Sequence, residues 1–147
     1  TQISDLGSLK IEDSKLKISS GSEGTMTSTT EIMDKNVTSF EIRAVPNDDC
    51  SVSTFQISND GGVNFNDSNK VYNLLENINK KLLFTTIGNK LQIKITLKSD
   101  TNNSKPELEN CTVLVKYDDG QLSLPVEIVD EPEPIFAFSV NTIQTIT

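Results

Sequence analysis

From Lys90 to Lys98 the chain alternates without a break. Leu91, Ile93, Ile95 and Leu97 fall on one parity, and Lys90, Gln92, Lys94, Thr96 and Lys98 on the other. A period of two is a strand with one dry face and one wet face. Parallel strands are covered on both sides, so this pattern belongs to an antiparallel sheet. Val37–Val45 repeats it more weakly, with Phe40, Ile42 and Ala44 opposed to Ser39, Glu41 and Arg43. Cys111, Val113, Val115 and Tyr117 share one face of a further strand over 107–117. Gln121–Val129 continues past an Asp118-Asp119-Gly120 turn.

Turn signals separate these runs. Leu9-Lys10-Ile11 and Leu16-Lys17-Ile18 flank Glu12-Asp13-Ser14 and predict a hairpin. Thr1–Gly7 reads as a lead-in, Ser19–Gly24 as a Ser/Gly loop, and Thr25–Ile32 as an edge strand. Pro46-Asn47-Asp48-Asp49 breaks the Val37 strand, and Ser99–Lys105 is a polar loop. Between Asn69 and Leu83, Val71, Leu74, Leu75, Ile78 and Leu82 fit one helical face, with Asp67 or Ser68 as cap. Asn73, Asn77 and Asn79 oppose that helix, so a short helix and an irregular strand-and-loop both stay open. The reading is an all-β antiparallel sandwich of the jelly-roll kind, with at most one short helix near 69–80. Residues 1–129 form the domain. Residues 130–134, Asp-Glu-Pro-Glu-Pro, form a stiff linker, and 135–147 a C-terminal strand or the start of another element.

The 147 residues suffice for one domain with its own core. A start at Thr1 instead of Met reads as a fragment or processed product. The formal net charge of −8 and the single arginine, Arg43, argue against a nucleic-acid partner. No run of about 18 or more apolar residues is present, so no membrane insertion is expected. Four N-x-Ser/Thr sequons begin at Asn36, Asn66, Asn102 and Asn110, and in a chain this rich in Asn they read as chance.

Catalytic signatures are missing. The chain has no His, the commonest general base and zinc ligand. Cys50 and Cys111 stand alone. A bridge between them would close a loop of about 60 residues, but a chain of this size needs none, and two buried thiols are the simpler reading. Paired carboxylates such as Asp48 and Asp118 read as ordinary loop residues, so no enzyme is expected. Asn47, Asp48 and Asp49 offer clustered oxygens that suit calcium, although turn-forming Asx residues explain them as well. No other cofactor is indicated. The candidate ligand contacts are Arg43, the loop carboxylates Asp48 and Asp49, and Tyr72 as a surface aromatic. Trp is absent, so the usual sugar-stacking platform is missing.

The octapeptide Ser58-Asn59-Asp60-Gly61-Gly62-Val63-Asn64-Phe65 predicts a tight hairpin, with Asp60, Gly61 and Gly62 as its structural turn and Phe55 and Phe65 pinning two strands on one face. It resembles the Asp-box of sialidases at Ser58, Asp60 and Gly62, with Asn64 and Phe65 in place of Thr and Trp. There the box is a structural hairpin repeated around a propeller, and one copy makes no propeller. A broader resemblance runs from Leu9 to Tyr117. Phe55–Phe65, then Phe84-Thr85-Thr86-Ile87-Gly88-Asn89 leading into Lys90–Leu97, then Ser104-Lys105-Pro106-Glu107-Leu108 before a strand, is similar to galactose-binding-like (discoidin-type) jelly rolls of bacteriophage tail, baseplate and bacterial surface proteins. That resemblance implies an attachment or structural module, an oligomer in a virion or at a cell surface. Its partners would be other structural subunits and host cell-surface glycan. The alternative is a purely structural tail or capsid decoration subunit pairing through its C-terminal strand. A glycoside hydrolase accessory domain is the remoter one.

Overall fold

The computed structural model describes residues 3–117, 122–129, 137–140 and 143–144. Its centre is the strand with the strongest alternation. Leu91, Ile93, Ile95 and Leu97 of β10 (Lys90–Lys98) are each 7% exposed or less. Their parity points them at a second sheet. β10 is flanked by β4 (Glu23–Ser28) and β7 (Thr54–Ser58), both antiparallel to it. β1 (Ile3–Asp5) completes one side through β4, and β8 (Tyr72–Asn73) the other through β7. β5 (Glu31–Ile32) pairs with the start of β10.

The second sheet is built on β11 (Glu107–Tyr117). One edge of it takes β6 (Val37–Pro46), which in turn holds β9 (Lys81–Leu83). β3 (Lys15–Ile18) and β2 (Leu9–Glu12) pair at the start of β11. β12 (Leu122–Val129) pairs further along and carries β13 (Ala137–Val140) and β14 (Ile143–Gln144). Every named strand pair is antiparallel, and the two sheets make the all-β sandwich. Met26, Phe40, Ile42, Phe55, Ile57, Leu74 and Val113 interdigitate with the β10 side chains between them.

Three local readings change. Thr1–Gly7 is no simple lead-in, because Ile3–Asp5 pairs with β4. β4 is not an edge strand: it lies between β1 and β10, and every second residue, Gly24, Met26 and Ser28, is buried. The octapeptide does not join two paired strands. It ends β7, and the chain then folds across the wet face of the first sheet. Phe55 stays in the core, whereas Phe65 sits under the Lys94 ammonium, 4.6 Å from its ring centroid, on the opposite face.

The Leu9–Ile18 hairpin forms with Asp13 and Ser14 at φ 54° and 62°, the left-handed pair its two-residue turn requires. Between Asn69 and Leu83 the chain is β8, the short helix Leu74–Asn77, then β9. The cap is Asn73, whose side chain accepts from the Glu76 N–H. Asp67 and Ser68 do not cap. With Asn69 they form a left-handed turn at φ 55°, 59° and 66°. The 130–134 linker and the Asp118–Gly120 turn lie outside the described residues.

Register defines two ends. Lys90, the start of β6, the octapeptide and β9 share one; Lys98, the start of β11 and the β3–β4 loop share the other.

Candidate functional site

At the Lys90 end the octapeptide is a closed hydrogen-bonded unit. Ser58 Oγ donates to Asp60 Oδ1 at 2.7 Å and accepts from the Gly62 N–H at 3.0 Å. Asp60 also takes the Asn64 N–H at 2.9 Å and the Asn64 amide at 3.0 Å. Burial pushes the Asp60 carboxyl up, but those donors outweigh it and hold it below the ordinary carboxylate range. Gly61 and Gly62 sit at φ 77° and 87°, as a turn of this kind demands. Ser58 and Asp60 thus shape the chain, and Asp60 spends both oxygens internally.

Two buried asparagines on either side of that turn fasten the sheets together. Asn59, fully buried, donates to the carbonyls of Val37 and Thr86 and accepts from the Thr86 hydroxyl. Asn66, also fully buried, donates to Tyr72 Oη and the Leu83 carbonyl and accepts twice from Thr85. Sequence reasoning missed both, because an Asn in a turn-rich segment carries no sign of what it will face.

The sequence-selected ligand residues do not converge. Arg43 is exposed on β6 and paired with Glu41 at 2.6 Å. Tyr72 is not a surface aromatic. It is 5% exposed, its ring stacks on Phe55 at 5.2 Å, and Phe40 meets it edge-on at 6.3 Å. Burial raises its hydroxyl above the usual range. Asn47 and Asp49 turn inward to brace the neighbouring loop. Asn47 Oδ1 accepts from the Glu107 N–H at 3.1 Å and its amide donates to the Lys105 carbonyl at 2.8 Å. Asp49 Oδ2 accepts from the Lys105 N–H at 2.9 Å. Asp48 is exposed beside them in the 3-10 turn Asp48–Cys50. These are the oxygens that suggested calcium, and the ones named are directed at backbone N–H groups. Among the described residues no group of three or more His, Cys, Asp or Glu is placed to hold a metal ion. Cys50 and Cys111 are free, buried thiols.

What that brace supports is a groove of about 1010 Å³ at the Lys98 end. One wall is the β2–β3 ribbon with Lys10, Glu12 and Lys17. The others are the Ser19–Ser22 stretch and the loop 99–106. Lys17 lies 3.5 Å from Glu12, 3.6 Å from Asp13 and 3.8 Å from Glu107, which ties the ribbon to β11. Ser104 closes the far loop, accepting from the Thr101 N–H and donating to its carbonyl. Both loops are plainly polar in sequence, but only the register of β3 and β10 against their neighbours brings them together. The apolar lining is confined to Ile18 and Pro106.

No family model, no curated protein and no solved structure matches this chain.

Proposed function

We propose that this chain is a non-catalytic attachment module, a galactose-binding-like jelly roll of a phage tail, baseplate or cell-surface protein. It works in a virion or outside the cell, as one copy in an oligomer. The observation that carries this reading is the groove at the Lys98 end. Two polar loops form it beside the β2–β3 ribbon, and those loops contribute nothing to the apolar core, the usual division between scaffold and binding surface. Its walls are held from behind by Asn47 and Asp49, so the site is largely formed before a ligand arrives. The test is retention on host-wall polysaccharide, measured by glycan array and titration calorimetry. Retention by host surface material supports the reading; silence across host-wall preparations removes attachment and leaves a scaffold.

One observation favours that scaffold reading, a structural subunit docking on a neighbour. Among the described residues the four most exposed large apolar side chains are Ile87 at 85%, Val63 at 79%, Ile32 at 69% and Leu83 at 67%. Register and hydrogen bonds put all four at the Lys90 end, opposite the groove. β13 already has one edge on β12 of its own chain, so the exposed apolar end carries this reading better than strand exchange does. Light scattering of the parent and of an Ile87→Ser, Val63→Ser double variant decides it. A larger assembly that the double variant breaks supports docking, and equal masses count against it.

A further inference from the structure

The groove's free polar groups identify the class of ligand it takes. Ser20, Ser22, Asp100, Thr101, Asn102 and Lys105 line it, and their side chains have no partner among the described residues. They supply donors and acceptors together, with one positive and one negative charge. The remaining charges of the lining also balance, Lys10 and Lys17 against Glu12 and Glu107. Both lysines are in ion pairs, Lys10 with Glu12 at 3.2 Å and Lys17 with Glu12 and Glu107. A polyanion therefore finds no excess of cation here, on a chain whose formal charge is −8. A peptide finds neither apolar pockets nor an aromatic anchor. A polyol differs from both. Each of its hydroxyls donates and accepts, and a wall of hydroxyls, an amide, a carboxylate and an ammonium can match it group by group.

We infer that the groove binds an uncharged oligosaccharide, held edge-on by hydrogen bonds from the Ser19–Ser22 stretch and the 99–105 loop, without ring stacking. This rests on the attachment reading above. Neutral hydrogen bonds exposed to water give modest affinity, so each copy binds weakly, near the millimolar range, and an oligomer supplies avidity.

The experiment follows backbone amides by NMR in the full chain. The probes are neutral gluco-, galacto-, manno- and N-acetylglucosamine oligosaccharides, with dextran sulfate and polygalacturonate as charged counterparts. Each is run at low salt and at about 0.3 M, where exposed charge is screened within a few ångströms. At least one neutral probe is expected to shift the amides of Ser22, Ser99, Thr101 and Asn102, equally at both salts. Thr101→Val with Asn102→Ala is expected to weaken that response at least tenfold while the rest of the spectrum stays in place. If the charged probes alone shift these amides, with a response that fades in salt, the ligand class is overturned and attachment stands. If no probe moves the groove while host surfaces still retain the protein, the groove is not the site. Loss of both responses removes the attachment reading too.

Discussion

At Asp60 two carboxylate oxygens are divided among three donors. Oδ1 takes the Ser58 hydroxyl and the Asn64 N–H, and Oδ2 takes the Asn64 amide. Burial alone would favour the protonated acid, and the donors reverse that. The folded state therefore holds the carboxylate more tightly than the unfolded chain does. The resulting stability is present above the unfolded value near pH 4, and is lost as pH falls through the lower folded value. In Asp60→Asn the Oδ1 contacts can persist, but an amide NH₂ then faces the Asn64 NH₂. A loss of about 1 kcal/mol at pH 7 follows. Urea unfolding of both proteins from pH 7 to pH 2 checks this. The gap between them is expected to close below about pH 4, and a gap independent of pH would show that the charge is not involved. Asp60, Gly61 and Gly62 were legible from the octapeptide because turn chemistry is local. Asn59 and Asn66 were not, since the backbone groups they hold lie 17 to 27 residues away in sequence.

Alternation is a local property too, which is why β10 could be read residue by residue and why the strands over 37–46 and 107–117 emerged with it. Between Asn69 and Leu83 the same logic left two readings open, and the chain takes both, a short helix over Leu74–Asn77 between two short strands. Five apolar residues at helical spacing suggest one buried face, yet Val71 and Leu75 are exposed at 52% and 37%, while Leu74 is fully buried. The segment crosses from one sheet to the other, so each apolar residue answers to a different neighbour and the spacing has no common face. Edge and interior strands were confused for a related reason: a Thr-rich strand suits either place, and only pairing decides. The loop before β10 shows how tight such pairing becomes. A Cβ on Gly88 would run into the backbone carbonyl of Asn59, which cannot swing aside as a side chain can. Gly88→Ala is expected to destabilise by about 3 kcal/mol. Gly21→Ala is the matched control. It meets nothing within 4 Å and bears only its φ of +73°, a cost of about 1 kcal/mol. Equal shifts in the two unfolding midpoints would mean that the contact between Asn59 and the loop before β10 gives way easily and that the Asn59 clamp is loose.

Among the described residues, side-chain clamps organise the polar ends and apolar packing dominates the middle. Cys111 reports on that middle. It lies on β11, between β6 and the β3 and β12 partners, and is 1% exposed. Burial without a charged neighbour pushes its thiol up to about 12. The folded state thus holds the proton more firmly than the unfolded chain. Its contribution is full below the ordinary thiol value and is lost as pH rises toward the folded value. Cys111→Ala removes the sulfur and leaves a small void, so the parent is the more stable protein at pH 7, by about 1 kcal/mol. Above about pH 9 the parent loses roughly 1.4 kcal/mol per pH unit that the alanine variant does not. The order of stability is therefore expected to invert between pH 9 and pH 11, read from urea midpoints under reducing conditions. The core also gates chemistry at this thiol. In native protein its alkylation by iodoacetamide is expected to proceed no faster than global unfolding, because no local opening short of separating β11 from both neighbours exposes it. Rapid labelling with the fold intact, or a constant stability gap across that pH range, would place Cys111 in contact with solvent and the two sheets apart at their centre.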